Sequence, residues 1–194
     1  MRNMRQRRPR SHVRLLFITG STRRRSANTA AVHTARELLG PDAAIVYDDL
    51  CELPPYEPGT KRLAPAVVEL HDALAEADAI VFCTPEYGGR LPEQLRNLLQ
   101  WASCAAVMRG KPATWLNIGG HAGGEGADAA LRSVLRSAGA AIMTSSGIRV
   151  PVSSDDVGPD GLIEDPRTLN HLGHALATVA GELAAASRRL VPTR

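Results

Sequence analysis

Short apolar runs rich in β-branched residues alternate along this chain with stretches whose apolar residues recur every three or four positions, and that alternation leaves few folds open. The runs are Val13 to Thr19, Ala43 to Tyr47, Ala79 to Thr84, Ala113 to Ile118 and Ala140 to Thr144. Arg14 aside, none carries a charge, so they read as strands buried on both faces. Between them Val32, Ala35 and Leu39 share one helical face, as do Val67, Leu70 and Leu74. Leu95, Leu98, Leu99 and Ala102 form the next stripe, and Leu131, Val134, Leu135 and Ala138 the one after. A last helix opens at Asp165-Pro166, a capping residue followed by a first-turn proline. Its stripe runs through Leu169, Leu172, Leu176, Val179 and Leu183. Gly40 and Gly139 fall where helix ends need a left-handed residue, and Pro65 and Pro92 where first turns accept proline.

Strands separated by helices pair in parallel through right-handed crossovers. The expected class is α/β, a three-layer sandwich with a five-stranded parallel sheet of order 2-1-3-4-5 covered on both faces. In such a sheet the ligand lies beyond the carboxyl ends of the strands, near the switch between strands 1 and 3. Function is therefore expected in three loops, residues 20 to 28, 84 to 91 and 119 to 126. The Pro-rich Glu52 to Gly59 segment reads as a connecting loop.

Composition narrows the class further. The chain has 194 residues, 44% hydrophobic and 22% charged, which supports one core and excludes general disorder. No uncharged apolar run approaches the ~20 residues that span a bilayer. The front end also lacks the apolar stretch of a signal peptide, so a cytoplasmic protein without a membrane partner is expected. Residues 1 to 36 hold ten Arg and no acid, leaving 13 basic and all 20 acidic residues downstream. Arg2, Arg5, Arg7, Arg8 and Arg10 precede the first strand, so residues 1–12 are expected to be a disordered basic tail ahead of one domain spanning 13–190. Nucleic acid is not an expected partner, because aromatic interleaving and a binding module are missing. Cys51, Cys83 and Cys104 show no C-x-x-C or paired-His spacing. No metal site is expected, and the three read as small buried apolar residues. His171 and His174 share a helix face without a third ligand and read as surface residues.

The first loop, Gly20-Ser21-Thr22-Arg23-Arg24-Arg25-Ser26-Ala27-Asn28-Thr29, runs straight into a helix. Hydroxyl and amide donors at a helix N-terminus make a phosphate cradle; the other reading is a polar cap, Ser26, with three solvated arginines. No G-K-[ST] or G-x-G-x-x-G occurs. The second loop, Thr84-Pro85-Glu86-Tyr87-Gly88-Gly89-Arg90-Leu91-Pro92, sets an aromatic ring and two glycines directly after a buried strand. The third, Gly119-Gly120-His121-Ala122-Gly123-Gly124-Glu125-Gly126, holds five glycines in eight residues. Glycines let a backbone approach a flat ligand closely, and ordering so many of them in a mere connection is costly.

Taken together, G-S-x-R-x-x-S-x-N, T-P-E-Y-x-G-x-x-P and a glycine-rich loop followed by A-x-x-x-L-R-x-x-L resemble the NADPH-dependent FMN reductase family, over residues 13 to 185. The resemblance implies a flavodoxin-like fold and an FMN-dependent oxidoreductase. Hydride would pass from NADPH (or NADH) through FMN to a small acceptor such as a quinone, an azo or nitro compound, free flavin or a metal oxyanion. By the same resemblance, Ser21, Arg23, Ser26, Asn28 and Thr29 hold the FMN phosphate. Pro85, Glu86, Tyr87, Gly88 and Gly89 line the isoalloxazine, and Gly119, Gly120 and His121 face its pyrimidine side. No side chain is required as a catalyst, since the flavin carries the redox chemistry. The family usually has Asn where this chain has Gly88, and a small hydroxyl residue near Gly119 or Gly120. His121 either compensates by donating near the ring or points outward. The resemblance also implies a homodimer or homotetramer, with Trp101 placed either in the interface or in the core. The competing function is a flavodoxin-like electron carrier without NADPH turnover. It is disfavoured because such carriers usually have a T-x-T-G-x-T loop and a strongly acidic surface.

Overall fold

A computed structural model describes residues 13–23, 25–84, 90–119 and 125–189. The expected basic tail therefore lies outside the described residues. Strands β1 (Leu15–Thr19), β2 (Ala44–Tyr47), β3 (Ala79–Thr84) and β4 (Pro112–Ile118) alternate with α1 (Ala27–Leu39), α2 (Pro65–Glu76), α3 (Glu93–Cys104) and α4 (Glu125–Ser137). Two short strands, β5 (Ala141–Ile142) and β6 (Ile148–Val150), precede the long helix α5 (Pro166–Arg189). All pairings between these strands are parallel, in the order β2-β1-β3-β4-β5 with β6 also on β4. This is the flavodoxin-like arrangement that the alternation predicts.

Each central strand divides its side chains between two cores. Leu16 and Ile18 of β1 join Ile80, Phe82 and Trp115 against α2, α3 and α4. Leu15 and Phe17 point the other way, with Val81, Cys83 and Leu116, onto α1 and α5. All five residues of β1 and all six of β3 are buried, which is why those runs read as unbroken hydrophobic segments. Helix ends follow the expected chemistry. The Thr168 N–H donates to Asp165 Oδ1 at 2.8 Å at the start of α5, and Pro65 opens α2. Gly40 and Gly139 take φ of +83° and +77° at the ends of α1 and α4. Pro92 caps α3 from just outside its first turn.

The fifth strand departs from expectation. It is split in two, because from Ala113 to Leu116 β4 advances three residues while its partner runs six, from Ile142 to Ile148. The surplus forms an excursion clasped by Glu182 of α5. Its two carboxylate oxygens accept the N–H groups of Thr144 and Ser145 at 2.7 and 2.8 Å. Burial alone would raise that carboxyl's pKa, but the two backbone donors outweigh it and hold the pKa below its ordinary value.

Candidate active site

Gly20 closes β1 and joins it to β3, its N–H donating to the Cys83 carbonyl at 2.7 Å. A Cβ there would lie 2.9 Å from Thr84 Oγ1 and 3.1 Å from Thr84 Cα, so only glycine lets the roots of the first two loops approach this closely. From that root the chain folds on its own hydroxyls. Ser21 N–H donates to Thr19 Oγ1 at 3.2 Å, and Arg23 N–H to Ser21 Oγ at 3.3 Å. Ser26 caps α1, its Oγ accepting from Thr29 N–H at 3.1 Å, while Thr29 Oγ1 donates to the Arg23 carbonyl at 2.9 Å. The Arg23 main chain is thus tied to the helix. Its side chain is exposed and, among the described residues, has no ion-pair partner.

Four polar residues, Ser21, Ser26, Asn28 and Thr29, are buried around this one helix start, where the first turn of α1 contains no acid. Polar groups buried together are normally satisfied by one another. Asn28 is the exception, since it is only 4% exposed and its Oδ1 has no hydrogen-bond partner among the described residues. A helix N-terminus with hydroxyl donors suits an anion, and an unpaired buried acceptor suits a hydroxyl. A phosphorylated polyol chain, such as the ribityl phosphate of FMN, supplies both.

The second and third loops leave from the same edge. Register pairs Thr19 with Cys83 and Thr84 with Asn117, so β1, β3 and β4 end level with one another. Pro85, Glu86, Tyr87, Gly88 and Gly89, and likewise Gly120 and His121, lie outside the described residues. Gly119 is described; it sits at φ +139°, and its N–H donates to the Val150 carbonyl of β6 at 3.3 Å. Helix α4 already begins at Glu125, which shortens the third loop.

One expectation, that all three cysteines are buried, needs correction. Only Cys83 is buried, with burial pushing its thiol up to about 12, whereas Cys51 and Cys104 are exposed. Trp101 is a core residue, 2% exposed, with its indole N–H on the Pro54 carbonyl at 2.8 Å and its ring edge-on to Tyr56. Asn97 helps it pin that loop, accepting from Tyr56 N–H at 2.8 Å and donating to the Pro54 carbonyl at 2.9 Å. His171 and His174 are exposed, and among the described residues no three His, Cys, Asp or Glu side chains converge on a metal position.

Sequence reasoning also missed a groove of about 680 Å³ that runs from Ser21, Arg23 and Thr29 to Asp48, Asp49 and Glu52 beyond β2. The His33 imidazole and the Asp48 carboxylate meet there at 3.1 Å. The pair Asp48-Asp49 directly after a strand is the signal that would have marked it.

Residues 13–152 match the family model for NADPH-dependent FMN reductases. The chain belongs to this family. As a family member it shares 35% identity over 108 residues with an NAD(P)H-dependent FMN reductase of Pseudomonas aeruginosa, 54% of this chain and 58% of that one. The matched stretch therefore spans little more than half of that relative. A quinone reductase of Escherichia coli is 28% identical over 178 residues, covering 88% of this chain and 94% of its own. In fold, the chain resembles FerB, a flavoenzyme NAD(P)H:(acceptor) oxidoreductase from Paracoccus denitrificans. The TM-score is 0.75 and the identity 23%, over 89% of this chain and 98% of that one. These relatives are named as oxidoreductases, and the electron-carrier alternative is not favoured. Among the described residues, no helix is long and apolar enough to cross a membrane.

Proposed function

We propose that this chain is an FMN-dependent NAD(P)H oxidoreductase that reduces a small acceptor: a quinone, an azo or nitro compound, free flavin or a metal oxyanion. The observation that carries the reading is the start of α1, where buried hydroxyls surround a helix N-terminus and the buried Asn28 Oδ1 lacks a partner among the described residues. Bound FMN would supply the redox chemistry, as a hydride acceptor toward the reduced nicotinamide and a two-electron donor toward the acceptor. The protein's part is to bind and orient. Ser21 and Ser26 offer hydroxyls and the helix start to the phosphate, Arg23 a guanidinium whose main chain Thr29 ties to the helix, and Asn28 an acceptor for a ribityl hydroxyl. Pro85, Glu86, Tyr87, Gly88 and Gly89 are assigned to the ring by their motif, and Gly119, Gly120 and His121 to its other side.

The family resemblance supports a homodimer or homotetramer, and a cytoplasmic location accords with dependence on reduced nicotinamide. Replacing Arg23 with Ala removes the one guanidinium assigned to the phosphate. The FMN Kd should then rise about tenfold or more, measured by quenching of flavin fluorescence. An unchanged Kd removes Arg23 from the site.

A further inference from the structure

The groove that adjoins the start of α1 has more room than a phosphate needs. Its volume is about 680 Å³, within the range of about 300–1,000 Å³ that holds a whole small ligand. Ser21, Arg23 and Thr29 line one end, at the start of α1, and Asp48, Asp49 and Glu52 the other, beyond β2. All six lie among the described residues. The two ends differ in charge. The first offers a helix N-terminus and the Arg23 guanidinium, with the unpaired Asn28 in the same first turn. The second is acidic. The His33 imidazole meets one Asp48 oxygen at 3.1 Å, which leaves the other to accept from a ligand. Among the described residues, the Asp49 and Glu52 carboxylates have no ion-pair partner.

Carboxylates accept hydrogen bonds and repel anions, so the acidic end suits a group rich in hydroxyl donors and free of phosphate. In doubly wound sheets that bind dinucleotides, the phosphates lie at the start of the first helix, and an acidic residue about twenty positions further on accepts from the adenosine ribose. Asp48 and Asp49 follow β2 at about that distance from the Ser26 cap. We propose that the groove is an adenylate subsite: the chain binds FAD, with the phosphates at the start of α1 and Arg23 and the adenosine ribose donating to Asp48 and Asp49. FMN then fills only part of the site. The inference rests on the proposal that the start of α1 holds a flavin phosphate, and adds to it a preference for the longer flavin.

The test measures Kd for FMN and for FAD by isothermal titration calorimetry on flavin-free protein. The ratio of the two is the readout, because a variant that merely loosens the fold weakens both flavins together. The unaltered chain should bind FAD about tenfold more tightly than FMN, or better. D48A and D49A should each bring the ratio toward one. The His33–Asp48 pair is exposed on both sides, so its loss in D48A costs the fold little. N28L, which acts on the part that both flavins share, should weaken both and keep the ratio. Equal Kd values in the unaltered chain, or a ratio unmoved in both aspartate variants, overturns the inference and leaves the FMN reading standing. Uptake of neither flavin overturns both.

Discussion

Asn28 carries an unusual pair of expectations. Among the described residues its buried Oδ1 lacks a partner, and an unmet acceptor in a folded interior costs about 1–3 kcal/mol. Asn28→Leu should therefore leave the flavin-free protein as stable as before, or more so, in urea unfolding, while FMN affinity falls. A loss of stability together with unchanged affinity would make Asn28 a packing residue. Lys111 presents the opposite case. In a chain with 21 Arg it is one of two Lys. Its Nζ donates to the carbonyls of Leu74 and Ala77 at 2.7 and 2.6 Å, at the end of α2. A compact ammonium can serve carbonyls that crowd a helix C-terminus, where a flat guanidinium fits poorly. Lys111→Met should cost about 1–3 kcal/mol in urea unfolding, and an unchanged midpoint would remove that role.

The split between β5 and β6 shows what periodicity leaves out. Among the described residues, four strands and five helices stand close to where the apolar pattern sets them, because each stripe has one face to bury, although the edge strand β2 is buried only at Ala44. The excursion was not legible: its Thr144-Ser145-Ser146 run looks like the ragged end of a strand, and Glu182, the residue that orders it, lies 37 positions beyond Ser145. Glu182 also gives the element a pH dependence. Its folded pKa lies below the ordinary 4.5, so its stabilising contribution is present above that value and lost as pH falls through the lowered one. Thermal unfolding followed from pH 7 to pH 3 should show a steeper acid loss for the unaltered chain than for Glu182→Gln. Parallel curves would mean that the clasp contributes nothing to acid sensitivity.

In the whole molecule, strand order follows from the alternation, and the site follows from strand order. The three loops start from the same edge of the sheet, at the ends of β1, β3 and β4, which is where a ligand of such a sheet is expected. The first loop was legible because its hydroxyls, its cap and its helix are contiguous. The groove beyond it was not, since Glu37, Asp48, Glu52 and Asp160 come from separate segments that only the fold assembles. The bond from the Trp115 indole to Asp128 was hidden for the same reason, the two residues standing on β4 and α4. On this reading, one edge of the sheet holds FMN and presents it to a reduced nicotinamide. It is tested most directly by loading the protein with FMN and adding NADPH, then NADH, without oxygen while the flavin absorption band is followed. Prompt bleaching is expected, with one nicotinamide oxidised for each flavin reduced. Flavin that binds and stays oxidised, or a protein that takes up no FMN, would contradict it.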